Sequence, residues 1–138
     1  MNEILTSPIH HLAVELAAAY QGDGTVDLGR LVPLLHADVV LYVPGSQPLS
    51  GDHRGLAAIA TFLVGSREAT VAGERIDRVD TLVGHDHVAL LVHVSGERPD
   101  GRRLDNVTIH LARLDDAGLV TDIWFHNRDQ AHVDAFGS

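Results

Sequence analysis

Three groups of residues in this sequence carry side chains able to do chemistry. The first lies in the run 104–114, where strand alternation puts Asn106, Thr108, His110 and Ala112 on one face and Val107, Ile109, Leu111 and Arg113 on the other. Asn, Thr and His at positions where a strand ordinarily buries Val or Ile are costly unless a pocket supplies their partners. His110 exchanges a proton near neutral pH, and an apolar surround lowers its pKa and keeps it largely neutral, free to act as a base or to polarise a carbonyl or epoxide oxygen. The competing reading is a core histidine satisfied by Thr108 or a backbone carbonyl. Thr108 itself lacks an adjacent base and orienting acid, so it reads as a hydrogen-bond partner and not as a nucleophile.

The second group is Asp52-His53-Arg54, in the Gly-, Ser- and Pro-rich stretch 45–55. That stretch reads as the chain's one long loop. His53 is a candidate second acid or base closing over a ligand, against the plainer reading of a solvated, charge-mixed loop. The third group, His85-Asp86-His87, lacks a further ligand at motif spacing and sits at a turn, so no metal is assigned. No Gly-rich phosphate loop or Gly-x-Ser-x-Gly elbow is found, and no cofactor is assigned.

The elements that must position these residues follow from periodicity. Ser7 and Pro8 start a helix whose inward stripe is Ile9, Leu12, Leu16 and Tyr20, stopped by the Gly-rich residues 21–24. Asp27 caps a short helix carrying Leu28, Leu31, Leu34 and Leu35, interrupted by Pro33. A strand over 38–43 ends at Pro44-Gly45, and a helix over 56–68 presents Ile59, Phe62 and Leu63. Strand-like runs follow at 75–83, 88–96, 104–114 and 119–126, separated by turn signals and able to form an antiparallel meander, and Asp129 begins a last short helix. The order predicts an α+β fold, a single domain over 1–138, with helices on one face of the sheet.

Two turns set the register. A Pro99-Asp100-Gly101 turn pairs Arg98 with Arg102, so Leu90 faces His110, Val92 faces Thr108 and Val94 faces Asn106. A four-residue turn over 115–118 pairs Leu114 with Leu119, so His110 faces Ile123, Thr108 faces Phe125 and Asn106 faces Asn127. On this register Leu90, Val92, Ile123 and Phe125 wall in His110 and Thr108. Asn106 and Asn127 become cross-strand neighbours near the pocket mouth, either orienting a ligand's carbonyl or hydroxyl or simply meeting water at a strand end. If Val43 faces the pocket, Leu41 joins it and Tyr42 faces away. Trp124, Ile109, Leu111 and Leu91 share the opposite face, and a face that apolar predicts a homodimer with Trp124 near its centre.

Composition bounds the partners. With 138 residues and 45% hydrophobic content, the chain is long enough for one real core. Ten Lys and Arg stand against nineteen Asp and Glu, a formal charge of -9, which argues against nucleic acid. There is no cysteine, hence no disulfide or thiolate site. No apolar run is long enough to span a bilayer and the first residues lack signal-peptide order, so a cytoplasmic protein with no membrane partner is expected.

Taken together, the segments 22–27, 37–45, 48–55 and 104–106, the run Asp122-Ile123-Trp124-Phe125 and the closing Asp129-Gln130 resemble the ketosteroid-isomerase-like and SnoaL-like branch of the nuclear transport factor two superfamily. The resemblance covers nearly the whole chain and implies a curved mixed or antiparallel sheet wrapped around N-terminal helices to form a conical pocket. It also implies a cofactor-independent isomerase, cyclase, dehydratase or epoxide-opening enzyme acting on an apolar, oxygenated, polyketide-like molecule in specialised metabolism. The alternative it leaves is a non-catalytic ligand-binding or accessory protein. The general-base carboxylate of ketosteroid isomerases, directly before the strand-ending proline, is Val43 here. Their first-helix tyrosine falls at Leu16, and the protonated acid of their oxyanion hole falls at His110. The last-strand aspartate of SnoaL-type cyclases and limonene-epoxide-hydrolase-like enzymes is Phe125 here. The expected site is therefore His110 and His53 for chemistry, with Asn106, Thr108, Asn127, Val43, Leu41, Phe62, Leu90, Val92, Ile123 and Phe125 around the ligand.

Overall fold

The structure, a computed structural model, describes residues 7–21 and 25–138. Helix α1 (Pro8–Ala19) starts where the sequence places it: the Ser7 side chain accepts from the backbone N–H of His10, and Pro8 occupies the first turn. Residues 22–24, the core of the expected helix stop and the start of one family-like stretch, lie outside the described residues. Helix α2 (Leu28–Leu31) is capped by Asp27, and Pro33 then tightens the chain into a 3-10 turn (Val32–Leu34). Leu34 and Leu35 therefore leave the helix early. Strand β1 (Leu35–Val43) begins three residues before its expected start, because proline's missing N–H and fixed φ stop α2 from extending.

The stretch 45–55 is not all loop. Strand β2 (Gly51–Arg54) folds back antiparallel on β1, pairing Leu41 with His53 and Val43 with Gly51. Helix α3 (Leu56–Glu68) is followed by β3 (Arg75–Val83), β4 (His87–Glu97), β5 (Arg103–Leu114), β6 (Val120–Asn127) and helix α4 (Gln130–Gly137), which Asp129 caps. Strands β3 to β6 form the antiparallel meander. The sheet order is β2-β1-β6-β5-β4-β3, and β1 joins β6 in parallel, so the sheet is mixed.

The first register is as read from the sequence: Arg98 N–H donates to the Arg102 carbonyl, Gly101 takes the left-handed φ of 93° that the turn needs, and Leu90 pairs with His110. The second differs by two residues. Asp115 Oδ1 accepts from the N–H groups of Ala117 and Leu119 at 3.0 Å each, which closes a three-residue turn between Asp115 and Leu119. A bulge beside Thr121 then adds a second one-residue shift. His110 therefore pairs with Phe125, Thr108 with Asn127 and Ala112 with Ile123. Because side chains alternate with period two, two single slips leave every residue on its expected face.

The inward face carries the core. Val39, Val88, Leu90 and Val120 are 0% exposed and pack with Leu12 and Leu16 of α1 and Ile59 and Phe62 of α3. Each such side chain contributes roughly 1.5–3 kcal/mol of burial. α1 lies across β3 and β4, α3 across β1 and β2, and α4 against β5. The described helices thus pack on one face, and the curved sheet leaves a space between them near β5 and β6.

Candidate functional site

That space is a cavity of about 360 Å³. Leu41 and Val43 of β1 and Phe62 of α3 line one side. Asn106, Thr108 and His110 of β5, with Ile123, Phe125 and Asn127 of β6, line the other. Three expected members stay out. Leu90 and Val92, at 0% and 1% exposure, are sealed in the core behind the cavity, because α1 covers the strand that holds them. His53 does not line it either: β2 holds its ring against Phe62 at 5.0 Å, and its Nε2 donates to the Leu49 carbonyl at 2.8 Å. The part of the 45–55 stretch that carries His53 is a paired strand.

His110 sits at the centre of an aromatic stack. Its cross-strand partner Phe125 lies face to face, centroids 3.6 Å apart at 12°, and Phe62 meets Phe125 edge-on at 5.9 Å. On the other side the hydroxyl of Tyr20 is 2.7 Å from His110 Nδ1. Leu16, where the resemblance puts the family's first-helix tyrosine, is core, and the phenol that reaches His110 is Tyr20, one helical turn later at the end of α1. Among the described residues neither Thr108 nor a backbone carbonyl bonds the imidazole; the Thr108 hydroxyl donates to the His126 carbonyl at 3.2 Å.

Part of the His110 ring surface opens to the cavity, although protein surrounds the ring. Burial, helped by the nearby His126, pushes its pKa from the ordinary 6.5 down to about 3. Burial pushes the Tyr20 phenol well above its ordinary value of 10. Both groups are neutral at neutral pH. Each imidazole tautomer leaves one donor without a partner among the described residues. With Nδ1–H donating to Tyr20 that donor is the buried phenol; with Tyr20 donating to Nδ1 it is the Nε2–H, on a ring that lines the cavity and can meet water or a ligand there. A donor open to the cavity costs less than a buried unpaired phenol proton, so the geometry favours the Nε2–H tautomer.

Two further features were not foreseen. Glu74 is the one carboxylic acid among the described lining residues; burial raises its pKa, and Ser66 donates to its Oε1 at 2.7 Å. It flanks Gly96, whose partner on β5 is Leu104, six residues from His110, or roughly 20 Å of strand. Glu74 therefore belongs to the far end of the cavity, and as an isolated acid between Gly73 and Arg75 it gave no sequence signal. The second feature is Gln130, which extends the expected Asn106–Asn127 pair into a set of amides joining β5, β6 and α4. Asn106 Nδ2 donates to Asn127 Oδ1 at 3.0 Å and Asn127 Nδ2 donates to Gln130 Oε1 at 2.9 Å. Asn106 and Asn127 meet diagonally, because the three-residue turn and the bulge together set Asn127 opposite Thr108.

Elsewhere, His87 bonds Asp86 at 2.7 Å and stacks on Trp124, and among the described residues no three His, Asp or Glu side chains gather as metal ligands. No helix among them is long and apolar enough to cross a membrane.

A curved sheet closed by helices over an apolar cavity with a few polar groups on its inner wall is the architecture of the cystatin-like and nuclear-transport-factor-two-like folds. The SnoaL-like domain matches residues 14–123, and the chain belongs to that family. Bal32a, from a soil-derived mobile gene cassette, superposes with a TM-score of 0.82 at 23% identity over 96% of this chain and 100% of its own. A Xanthomonas campestris protein with a cystatin-like fold gives 0.78 at 28% identity, over 91% and 98% of the two chains. TerC, co-crystallised with polyporic acid, gives 0.75 at 19% identity over 96% and 100%. A 76-residue stretch is 37% identical to histidine ammonia-lyase 1 of Fusobacterium nucleatum; it spans 54% of this chain but 15% of that protein's length.

Proposed function

We propose that this chain is a cofactor-independent enzyme that uses the neutral imidazole of His110 to hydrogen-bond, and so polarise, an oxygen of a small, largely apolar, polyketide-like molecule. The observation that carries the reading is the 2.7 Å bond between Tyr20 and His110 Nδ1, which favours the Nε2–H tautomer on a ring lining an apolar cavity. A pKa pushed down to about 3 by burial favours one of the two roles open to an imidazole. Forming imidazolium at pH 7 would cost about 5 kcal/mol, so His110 is a poor base and a good neutral donor. A donor fixed in a dry site stabilises negative charge developing on a carbonyl or epoxide oxygen.

Reactions that build such charge include isomerisation, dehydration, epoxide opening and aldol-type ring closure. With Val43 and Phe125 where relatives hold carboxylates, the reading favours substrates whose reacting C–H bond is already acidic, such as one flanked by two carbonyls. TerC, similar in fold, was co-crystallised with polyporic acid, which supports a small-molecule ligand here.

The same two apolar positions favour a second reading, a ligand-binding protein without chemistry. Exchange of the central methylene of 2-naphthoylacetone into deuterated water separates the two. The enzyme reading expects acceleration by the native protein, lost in His110→Phe with the diketone still bound. Binding without acceleration supports the second reading.

We extend the proposal to a homodimer across the outer face. Leu82 and Ile109 are 61% and 42% exposed there, while Trp124 is stacked on Tyr42 at 5.3 Å and 6°. Apolar side chains flanking a rigid aromatic pair suit a self-complementary contact.

A further inference from the structure

Between α4 and the cavity, hydrogen bonds pass in one direction through four side chains. Asp134 Oδ1 accepts from the Ser46 backbone N–H and from Gln130 Nε2, each at 3.0 Å, and the same Nε2 lies 3.4 Å from the Pro44 carbonyl oxygen. A carboxylate and a carbonyl only accept, so the Gln130 amide must turn its nitrogen toward them and its oxygen toward Asn127. Asn127 must then offer Nδ2 to Gln130, leaving its Oδ1 for Asn106, and Asn106 must offer Nδ2 in turn. What remains at the end of the row is Asn106 Oδ1. It is buried, on a residue 7% exposed that lines the cavity, and it has no partner among the described residues. An acceptor left so costs about 1–3 kcal/mol.

The backbone makes room for this row. Gly45 has φ of 96°, and a Cβ placed on it would lie 2.1 Å from Asp134 Oδ1 and 2.2 Å from Gln130 Nε2. Only a residue without a side chain permits the approach.

We propose that Asn106 Oδ1 is the cavity's acceptor for a hydroxyl or N–H of the ligand, and that Asp134 fixes this polarity through Gln130 and Asn127. The inference rests on the cavity being the ligand site, and not on catalysis at His110. Asn106 and His110 share one face of β5, four residues or about 13 Å of strand apart. The ligand class is therefore an elongated, apolar molecule with an acceptor oxygen at the His110 end and a hydrogen-bond donor on the order of 10 Å away. Asn106 is then a specificity residue, and Gln130 and Asp134 are positioning residues.

Three probes test it by fluorescence titration: 6-acetyl-2-naphthol, its methyl ether, and 2-acetylnaphthalene. The native protein is expected to bind the naphthol at least about tenfold tighter than the ether, the difference one paired acceptor makes. In Gln130→Met the Asn127 and Asn106 amides are free to turn over, and in Asp134→Leu only the 3.4 Å contact to Pro44 still orients Gln130, so the ratio is expected to fall to near one in the first and toward it in the second, with 2-acetylnaphthalene bound as before. A native ratio of one or less overturns the acceptor while binding of 2-acetylnaphthalene leaves the cavity reading intact. A ratio kept in either variant overturns the relay. Binding of none of the three overturns the cavity reading and this inference with it.

Discussion

The Tyr20 hydroxyl lies 2.7 Å from His110 Nδ1, joining the end of the first helix to the middle of the fifth strand. Among the described residues no other contact bears so directly on which nitrogen of the imidazole is free toward the cavity. Replacing Tyr20 by Phe keeps the ring and removes only that contact. The expected outcome is a loss of about ten- to a hundredfold in turnover of 2-naphthoylacetone exchange, with its dissociation constant changed less than threefold. Unaltered turnover would show that the tautomer does not matter.

Acid stability follows from the same site. The unfolded chain takes up a proton at His110 below the ordinary value of 6.5, whereas the folded protein resists it until about pH 3. Stability is thus fully present above pH 6.5 and lost as pH falls toward 3, with a ceiling of roughly 5 kcal/mol. On the outer face His93 runs the other way. Its bonds to Asp105 and Asp77 hold its pKa above the ordinary value, so its contribution is full below 6.5 and lost as pH rises through the raised value. Urea midpoints from pH 4 to pH 9 are expected to show a shallower acid limb in His110→Phe and a shallower alkaline limb in His93→Gln. Parallel curves for native protein and variants would contradict both assignments.

How much of this the sequence carried depended on what kind of interaction set each feature. Faces were legible, because alternation is local: Asn106, Thr108 and His110 point inward and Trp124 outward, as the pattern required. The β4–β5 register was legible too, since Pro99 and Gly101 specify one turn. The β5–β6 register was not, because it depends on the Asp115 side chain capturing two N–H groups and on a bulge with no marker of its own. Tyr20 stood on the inward stripe of the first helix, and a buried phenol needs a partner, but the pairing joins residues 90 apart in the chain. The same distance in sequence hid the row from Asp134 to Asn106. Pairing of the short 51–54 segment with β1 was hidden by its Gly and charged residues, which read as loop.

Gly45 offers a test of that row without touching a polar group. Gly45→Ala places a methyl where Asp134 and Gln130 meet and forces a left-handed φ on a residue with a side chain. The expected result is destabilisation by about 1–3 kcal/mol in urea. The naphthol-to-ether affinity ratio should drop at the same time. Native stability with a native ratio would mean that the turn relaxes and the approach is not required.

For the outer face, sedimentation equilibrium decides. The native chain is expected to sediment at twice its monomer mass, and Ile109→Asp, whose position is 42% exposed, is expected to shift it to the monomer with its circular dichroism unchanged. A native monomer at high micromolar concentration would remove the dimer from the account.

The most direct test of the central claim is ¹⁵N NMR of histidine-labelled protein with and without 6-acetyl-2-naphthol. The account predicts that His110 stays neutral from pH 8 to pH 4, carries its proton on Nε2, and shows a downfield shift of that Nε2–H when the ketone binds. A ring that titrates near 6.5, carries its proton on Nδ1, or ignores the bound ketone would contradict it.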